Sequence, residues 1–121
     1  MQNVDVDLSV RTKQYALRIL RLVRALPNTI AGRAIANQLI RCGTAIGANY
    51  RAACRARSRA EFIAKLGIVI EENDEAIFWL EVIIEGDLLP RTLVEPLLQE
   101  TRELLAIMIA SSKTARVKRS V

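Results

Sequence analysis

Three short breaks divide the 121-residue chain into four long segments, and this division constrains the fold more than any other feature of the sequence. The breaks are Pro27-Asn28-Thr29, Arg57-Ser58-Arg59 and the stretch 86–90, which runs from a glycine to a proline. Within each segment, apolar residues recur every three to four positions, which is the period of a helix and not of a strand. The pattern predicts helices at about 8–26, 30–56, 59–85 and 92–113.

Helices of about 20 residues joined by short loops favour an all-α fold, an antiparallel up-down-up-down four-helix bundle. Capping boxes support two of the starts, because Ser58 precedes Glu61 and Thr92 precedes Glu95 by three residues. Gly86 is a natural stop for the third helix. We expect one domain over 1–113 and a basic, disordered tail over 114–121.

The second helix is rich in small residues. Gly43 and Gly47 lie four residues apart, on one side of the helix. A glycine inside a helix costs up to about 1 kcal/mol relative to alanine, so the pair indicates that another backbone approaches closely. Asn49 falls within the apolar arc of the same helix, and we expect it to be buried and hydrogen-bonded to the third helix. Glu75 is the second residue that we predict to be a structural polar group.

The third helix is apolar around most of its circumference. Its predicted inner face includes Leu66 and Ile70, yet other large apolar residues point elsewhere. A helix that is apolar on most sides must be buried on most sides, whereas a bundle buries one stripe of each helix. The surplus predicts a subunit interface and a homo-oligomer. We assign to this interface Leu17, which sits among charges on the first helix, and Phe78, Trp79, Val82 and Ile83.

The net charge of +5 hides a strong asymmetry along the chain. Residues 1–60 carry 11 basic and 2 acidic residues, whereas residues 61–104 carry 3 basic and 11 acidic ones. Arginine presents a planar fork of donors that suits phosphate oxygens, so the basic half predicts a nucleic-acid interface. Its candidate residues are Arg33, Arg41, Arg51, Arg55, Arg57 and Arg59. The alternative is that these arginines are solvated or pair with an acidic stripe on the third helix, formed by Glu71, Asp74, Glu81 and Glu85.

Composition argues against an enzyme. The chain has no histidine, so it cannot build a Ser-His or Cys-His pair or a histidine-ligated metal site. The acidic run 71–75 lies on a single helix, and without histidine it does not fit a di-iron bundle. We therefore predict no catalytic residue, no metal and no cofactor. Cys42 and Cys54 are expected to be reduced, and the lack of a signal sequence or of about 20 consecutive apolar residues predicts a cytoplasmic protein that does not enter membranes.

Two motifs resemble a known family. The stretch 38–51 reads QLIRCGTAIGANYR, a run of small residues that leads to Ile-x-x-Asn, and the stretch 57–63 reads RSRAEFI, an Arg-Ser-x-x-Glu-Phe helix entry. Glu75 stands at the expected acidic position downstream. In this order and spacing they resemble the four-helix bundle proteins encoded in intervening sequences of bacterial large-subunit ribosomal RNA genes. The chain departs from the commoner Asn-Ile-Ala-Glu-Gly pattern immediately after Asn49.

The resemblance implies a ring-shaped homo-oligomer, specifically a homopentamer. It also implies similarity to accessory proteins of diversity-generating retroelements, which are basic pentamers that work with a reverse transcriptase and its RNA. Two hypotheses therefore stand at the level of sequence. The first is a non-enzymatic accessory protein that contacts RNA or DNA phosphates through its arginines. The alternative is a protein-interaction scaffold whose arginines serve subunit contacts or a protein partner, such as a reverse transcriptase-like protein.

Overall fold

A computed structural model describes the backbone of residues 4–119 and the side chains of residues 8–117. It contains four α-helices, α1 (Val4–Ala25), α2 (Ile30–Cys54), α3 (Arg59–Glu85) and α4 (Arg91–Arg119). No strand occurs over residues 4–119, so the prediction of an all-α chain with four helices is confirmed. The predicted bounds of α3 agree with the structure, and those of α2 differ by two residues.

The first and last helices, α1 and α4, are longer than predicted. Helix α4 continues past residue 113 to Arg119, so the disordered tail predicted for 114–121 is wrong as far as Arg119, and residues 120 and 121 lie outside the described residues. Ser112 is buried and Ala115 is half-buried, so the last turns of α4 still pack against the bundle. Helix α4 also begins at Arg91, which places Thr92 inside its first turn instead of at its cap.

Helices that are consecutive in the chain pack side by side in an antiparallel arrangement. Helix α4 also packs against α1, through the smallest of the four contacts between helices. The direction is clear from two glycines of α2. A Cβ atom on Gly43 would lie 2.8 Å from Cγ1 of Ile19, and one on Gly47 would lie 3.3 Å from the backbone oxygen of Thr12. The later residue of α2 thus meets the earlier residue of α1. The predicted close approach of another backbone is confirmed at Gly47, whereas Gly43 meets the side chain of Ile19.

Polar contacts reinforce the short contact between α1 and α4. The Arg11 guanidinium donates from Nε and Nη2 to the Glu100 carboxylate, at 2.7 and 2.8 Å. Nη2 also donates to Glu103 at 2.9 Å. Such two-pronged pairs are geometrically specific and stronger than single hydrogen bonds between neutral groups. Arg11 therefore serves the fold and is not available to a ligand.

The buried stripe of α3 is rotated relative to the predicted one. Its centre runs through Val69, Asn73, Leu80 and Ile83, all of which are fully buried. The assignment of Ile83 to a subunit interface is therefore wrong. Because α3 packs against both α2 and α4, its buried face is wide. A helix that is apolar all round gives no clear phase in its sequence pattern, so periodicity alone could not locate this face.

Candidate nucleic-acid interface

Four of the six predicted arginines lie together at one end of the bundle. Arg51 and Arg55 are exposed near the end of α2, one turn or about 6 Å apart along the helix axis. Arg57 and Arg59 are also exposed and follow in the loop and at the first residue of α3. The Ser58 hydroxyl caps α3 by accepting from the Glu61 amide at 3.1 Å, and this cap fixes the course of the loop. We call these four arginines the basic end.

The antiparallel topology brings further positive charge to the same end. Helix α4 finishes there, and its exposed Lys113 and Arg116 lie in the last described turns. Helix α1 starts there, so the backbones of Asp5 and Asp7 also belong to this end. Exposed basic side chains of α2, α4 and the loop before α3 thus lie toward the same end of the molecule.

Arg33 and Arg41 do not belong to the basic end. Arg33 precedes Arg51 by five turns of the same helix, which is about 27 Å, and it donates to Asn28 at 2.9 Å. Arg41 is exposed on the side of α2 that faces α3, and it donates to Gln38 at 3.0 Å. Burial raises the pKa of the Glu72 carboxyl, as does the charge of Glu75, while the charge of Arg41 opposes both. The six predicted arginines therefore do not form one site.

The acidic stripe of α3 does not neutralise the basic end. Among the side chains of residues 8–117, Glu81 pairs with Arg102 of α4 at 3.2 Å, and Arg91 pairs with Glu95 at 3.0 Å. Over the same residues, no ion pair joins an acidic side chain to the basic end. Glu61 approaches closest through a backbone contact, since its carboxylate accepts from the Arg57 amide at 3.0 Å. Pairing with the third helix is thus not the role of these arginines within the chain.

The outer side of α3 carries an aromatic pair, in which Phe78 is exposed and Trp79 is half-buried. Phe78 is 55% exposed, and its ring meets that of Trp79 edge to face, with the ring centroids 4.9 Å apart. The indole nitrogen of Trp79 donates to Glu75 at 3.2 Å, which holds the ring along the helix. Val82 is half-buried, and Leu17 on α1 is 47% exposed. Four of the five residues assigned to a subunit interface thus keep surface for a partner.

The asparagine that the structure shows buried in the bundle is not the one predicted from the sequence. Asn49 is only half-buried, and its amide donates to the Ala45 carbonyl of its own helix at 2.9 Å, so the predicted partner on α3 is wrong. Glu75 is half-buried at the edge of the bundle instead of in the core. Asn73 is fully buried, and neither atom of its side-chain amide has a hydrogen-bond partner within the described residues. Asn73 lies seven residues, or about two turns, after Leu66, and this spacing places it on the inner face of α3. The acidic residues on either side of it in the sequence made this position look polar and exposed.

Other chemistry is sparse among the described residues. Cys42 is buried and Cys54 is exposed, and both are free thiols. Burial raises the pKa of the Cys42 thiol to about 12, and the charges of Glu75 and Glu72 add to this effect. Within the described part of the chain, no group of three acidic or cysteine side chains is placed to hold a metal ion. No helix over these residues combines the length and apolar character that crossing a membrane requires.

The structure defines an all-α four-helix protein with exposed arginines toward one end and an aromatic pair on the outer side of α3. Comparison with known sequences identifies it further. The family model described as 23S rRNA-intervening sequence protein matches residues 5–110, and the chain belongs to this family. A search of the curated proteins found no match.

A solved structure supports the same assignment. The chain is similar to a protein of unknown function from the S23 ribosomal protein family of Bacteroides thetaiotaomicron VPI-5482. The two chains are 34% identical, and the match covers 87% of this chain and 97% of the other, with a TM-score of 0.82. The fold is therefore shared over nearly the whole of that protein.

Proposed function

We propose that this protein is a non-enzymatic, homo-oligomeric accessory protein that binds RNA through phosphate contacts at the basic end. One observation carries the proposal. Arg51, Arg55, Arg57 and Arg59 are exposed within nine residues of chain, and no acidic side chain among residues 8–117 pairs with them. The origin of the family in ribosomal RNA genes makes RNA the first partner to test.

The chemistry of the basic end favours backbone contact over base recognition. Guanidinium groups bind phosphate oxygens with two parallel hydrogen bonds, and each such contact releases a counterion from the nucleic acid. Aromatic residues make up only 4% of the chain, and the aromatic pair on α3 lies on a different element, so a platform for stacked bases is missing from the basic end. Binding should be weakly specific in sequence and steeply dependent on salt.

Assembly of several subunits would raise the affinity for RNA above that of one basic end. A ring-shaped homo-oligomer, as the family resemblance implies, would repeat the basic end once per subunit and let one RNA engage several copies. Linked contacts of this kind raise the overall affinity by orders of magnitude without a new type of contact. Light scattering after gel filtration measures the assembly directly. We expect a homo-oligomer, with the pentamer as the specific expectation, acting in the cytoplasm where such RNA is found.

Fluorescence anisotropy with a labelled RNA hairpin tests the RNA contact. We expect binding at about 50 mM salt and an affinity lower by roughly three orders of magnitude at 200 mM, if six or more phosphates are neutralised. In the double variant Arg55→Gln/Arg57→Gln, the slope of log affinity against log salt should become shallower by about two phosphate contacts per subunit engaged.

The matched control is Arg21→Gln/Arg24→Gln, which removes the same charge from exposed residues on α1, toward the opposite end of the bundle. This variant should retain the salt slope of the parent protein. Equal losses in the two double variants would show that binding follows total charge and not the basic end. No binding of the parent protein at 50 mM salt would refute the proposal.

A protein-interaction scaffold is the second candidate function, and the exposed ring of Phe78 beside Trp79 on α3 is the observation that favours it. Aromatic side chains are enriched among the residues that dominate protein interfaces. In this case the partner would be a protein, for instance a reverse transcriptase-like one, and RNA would not bind in its absence. The anisotropy assay distinguishes the two functions, because a scaffold alone leaves the hairpin free.

A further inference from the structure

We propose that the outer face of α3 docks into the groove between α1 and α2 of a second copy, so that subunits join head to tail through two different surfaces. The inference rests on the proposed function only in treating the protein as an assembly. It specifies which surfaces meet, and it does not depend on RNA binding.

The first surface is exposed and apolar, and the fold has already ordered it. Phe78 and Ile68 are 55% and 41% exposed on the outside of α3. The edge-to-face contact with Trp79, together with the bond from Trp79 to Glu75, holds the aromatic pair in place. An aromatic side chain that is already fixed loses little rotamer freedom on binding. The outer face of α3 therefore has the character of an interface anchor.

Gly67 provides independent support on the same face. A Cβ atom placed on Gly67 would have no neighbouring atom within 4 Å, although a glycine in a helix interior costs up to about 1 kcal/mol relative to alanine. By contrast, Gly43 and Gly47 are explained by Ile19 and Thr12, which lie against them. Gly67 lies eleven residues before Phe78, which is close to three full turns, so both project from one side of α3. Close approach by another subunit would account for it.

The second surface is a groove of about 360 Å³ between α1 and α2. Ala16, Gly47 and Ala48 are small residues in its wall, and the exposed Lys13 and Arg51 add two positive charges. Its volume is near the lower limit of about 300 Å³ for ligand pockets. A groove that is lined by small residues and flanked by positive charges fits an apolar helix face that also has acidic side chains.

The outer face of α3 offers those acids. Glu71 and Asp74 are exposed between Ile68 and Phe78, and neither forms an ion pair with the side chains of residues 8–117. Docking α3 into the groove would bring these carboxylates toward Lys13 and Arg51. A symmetric contact of α3 with α3 would instead oppose acids to acids. Charge complementarity thus favours a second copy in a head-to-tail contact.

This arrangement divides the arginines of the basic end between two roles. Arg51 belongs to the groove and would contact the neighbouring subunit, whereas Arg55, Arg57 and Arg59 stay free for phosphates. Because the two surfaces differ, an open assembly retains one unused surface of each kind, one at each end, until it closes. A head-to-tail contact of this type produces a ring if its rotation closes and a filament if it does not.

Mixing two blocked variants tests the inference. Phe78→Asp places a charge on the outer face of α3, and Ala48→Arg fills the groove. Each should be a monomer at concentrations at which the parent protein is fully assembled, with subunit affinity lower by roughly 30-fold or more. Mixed at equal concentrations, they should form a dimer of one copy of each, because the mixture retains one intact pair of surfaces. Gel filtration with light scattering measures all three samples.

The controls make similar changes outside both surfaces. Leu93→Asp alters a residue of α4 that is 51% exposed, and Ala110→Arg alters an exposed alanine of α4, so both should assemble like the parent protein. Circular dichroism confirms that each variant is folded, and Ile68→Lys replaces Phe78→Asp if the latter is not. A monomeric parent protein, a blocked variant that still assembles, or a mixture that stays monomeric would each overturn the inference. The assay contains no RNA, so failure of the RNA proposal leaves its outcome unchanged.

Discussion

The Tyr15 hydroxyl donates a hydrogen bond to the Thr101 hydroxyl across α1 and α4. The two oxygens are 2.7 Å apart, and both residues are buried. The direction follows from the second contact of Thr101, which donates its own hydrogen to the Leu97 carbonyl at 2.7 Å. Tyrosine must therefore supply the hydrogen that joins the two helices. This bond lies where the contact between α1 and α4 is short, so it is a main specific link between the first and last helices.

Removing this bond should destabilise the bundle, and the loss of stability should depend on whether the donor or the acceptor is removed. Tyr15→Phe should lower the free energy of unfolding by about 1 kcal/mol, because Thr101 keeps its bond to Leu97. Thr101→Val should cost more, about 1–3 kcal/mol, because it leaves the buried tyrosine hydroxyl without an acceptor. The double variant should cost less than the sum of the two, as measured by urea unfolding. Strict additivity would show that the two hydroxyls do not interact.

Replacing Asn73 with leucine should stabilise the protein. Its amide is fully buried and makes no hydrogen bond within the described residues, so folding removes it from water without compensation. An apolar side chain of similar volume should raise the free energy of unfolding by about 1–3 kcal/mol. Thermal and urea unfolding of Asn73→Leu measure the gain.

Asn49→Leu is the matched control, because Asn49 is half-buried and donates to the Ala45 carbonyl. This variant should change stability by no more than about 1 kcal/mol in either direction. Loss of stability in Asn73→Leu would mean that a buried water molecule satisfies the amide and that Asn73 stabilises the bundle. A gain would instead show that the bundle keeps Asn73 at the expense of stability.

The two asparagines also show how far the sequence predicts this structure. Punctuation and periodicity located all four helices, because proline, glycine and capping residues act locally. They could not choose between Asn49 and Asn73, since burial depends on how far each helix is rotated toward its neighbours. Helix α2 has a clear polar side and was oriented nearly correctly, but α3 is apolar all round and was not.

The candidate interface was predictable in part for the same reason. The exposure of Arg51, Arg55, Arg57 and Arg59 follows from a local polar pattern, and the structure brings them together because they are close in sequence. The separation of Arg33 from the basic end follows from the length of α2, which was predictable from the sequence. The groove beside Arg51 did not follow from the sequence, since it depends on the spacing of α1 and α2.

Alanine substitutions at two glycines should have opposite effects. Gly67→Ala should raise the free energy of unfolding by about 0.5–1 kcal/mol, because the helix gains propensity and the new methyl group meets nothing. Gly43→Ala should lower it by about 1–3 kcal/mol, because the methyl group would lie 2.8–3.1 Å from three carbons of the buried Ile19. Both should be measured in the Phe78→Asp background, which separates folding from assembly. A gain in both variants would show that Ile19 moves aside easily.

Stability should decrease in alkaline solution because of two buried groups. Burial raises the pKa of Cys42 from 9.0 to about 12 and also raises the pKa of Tyr15. A group whose pKa is higher in the folded protein stabilises it fully below the unfolded pKa and loses this effect as pH rises toward the folded pKa. The free energy of unfolding should therefore fall between about pH 9 and pH 12. The double variant Cys42→Ala/Tyr15→Phe should be less stable at pH 7 yet show a shallower fall, and an unchanged slope would contradict the assignment.

At pH 8, a thiol reagent should modify the exposed Cys54 of the native protein and reach Cys42 only after unfolding.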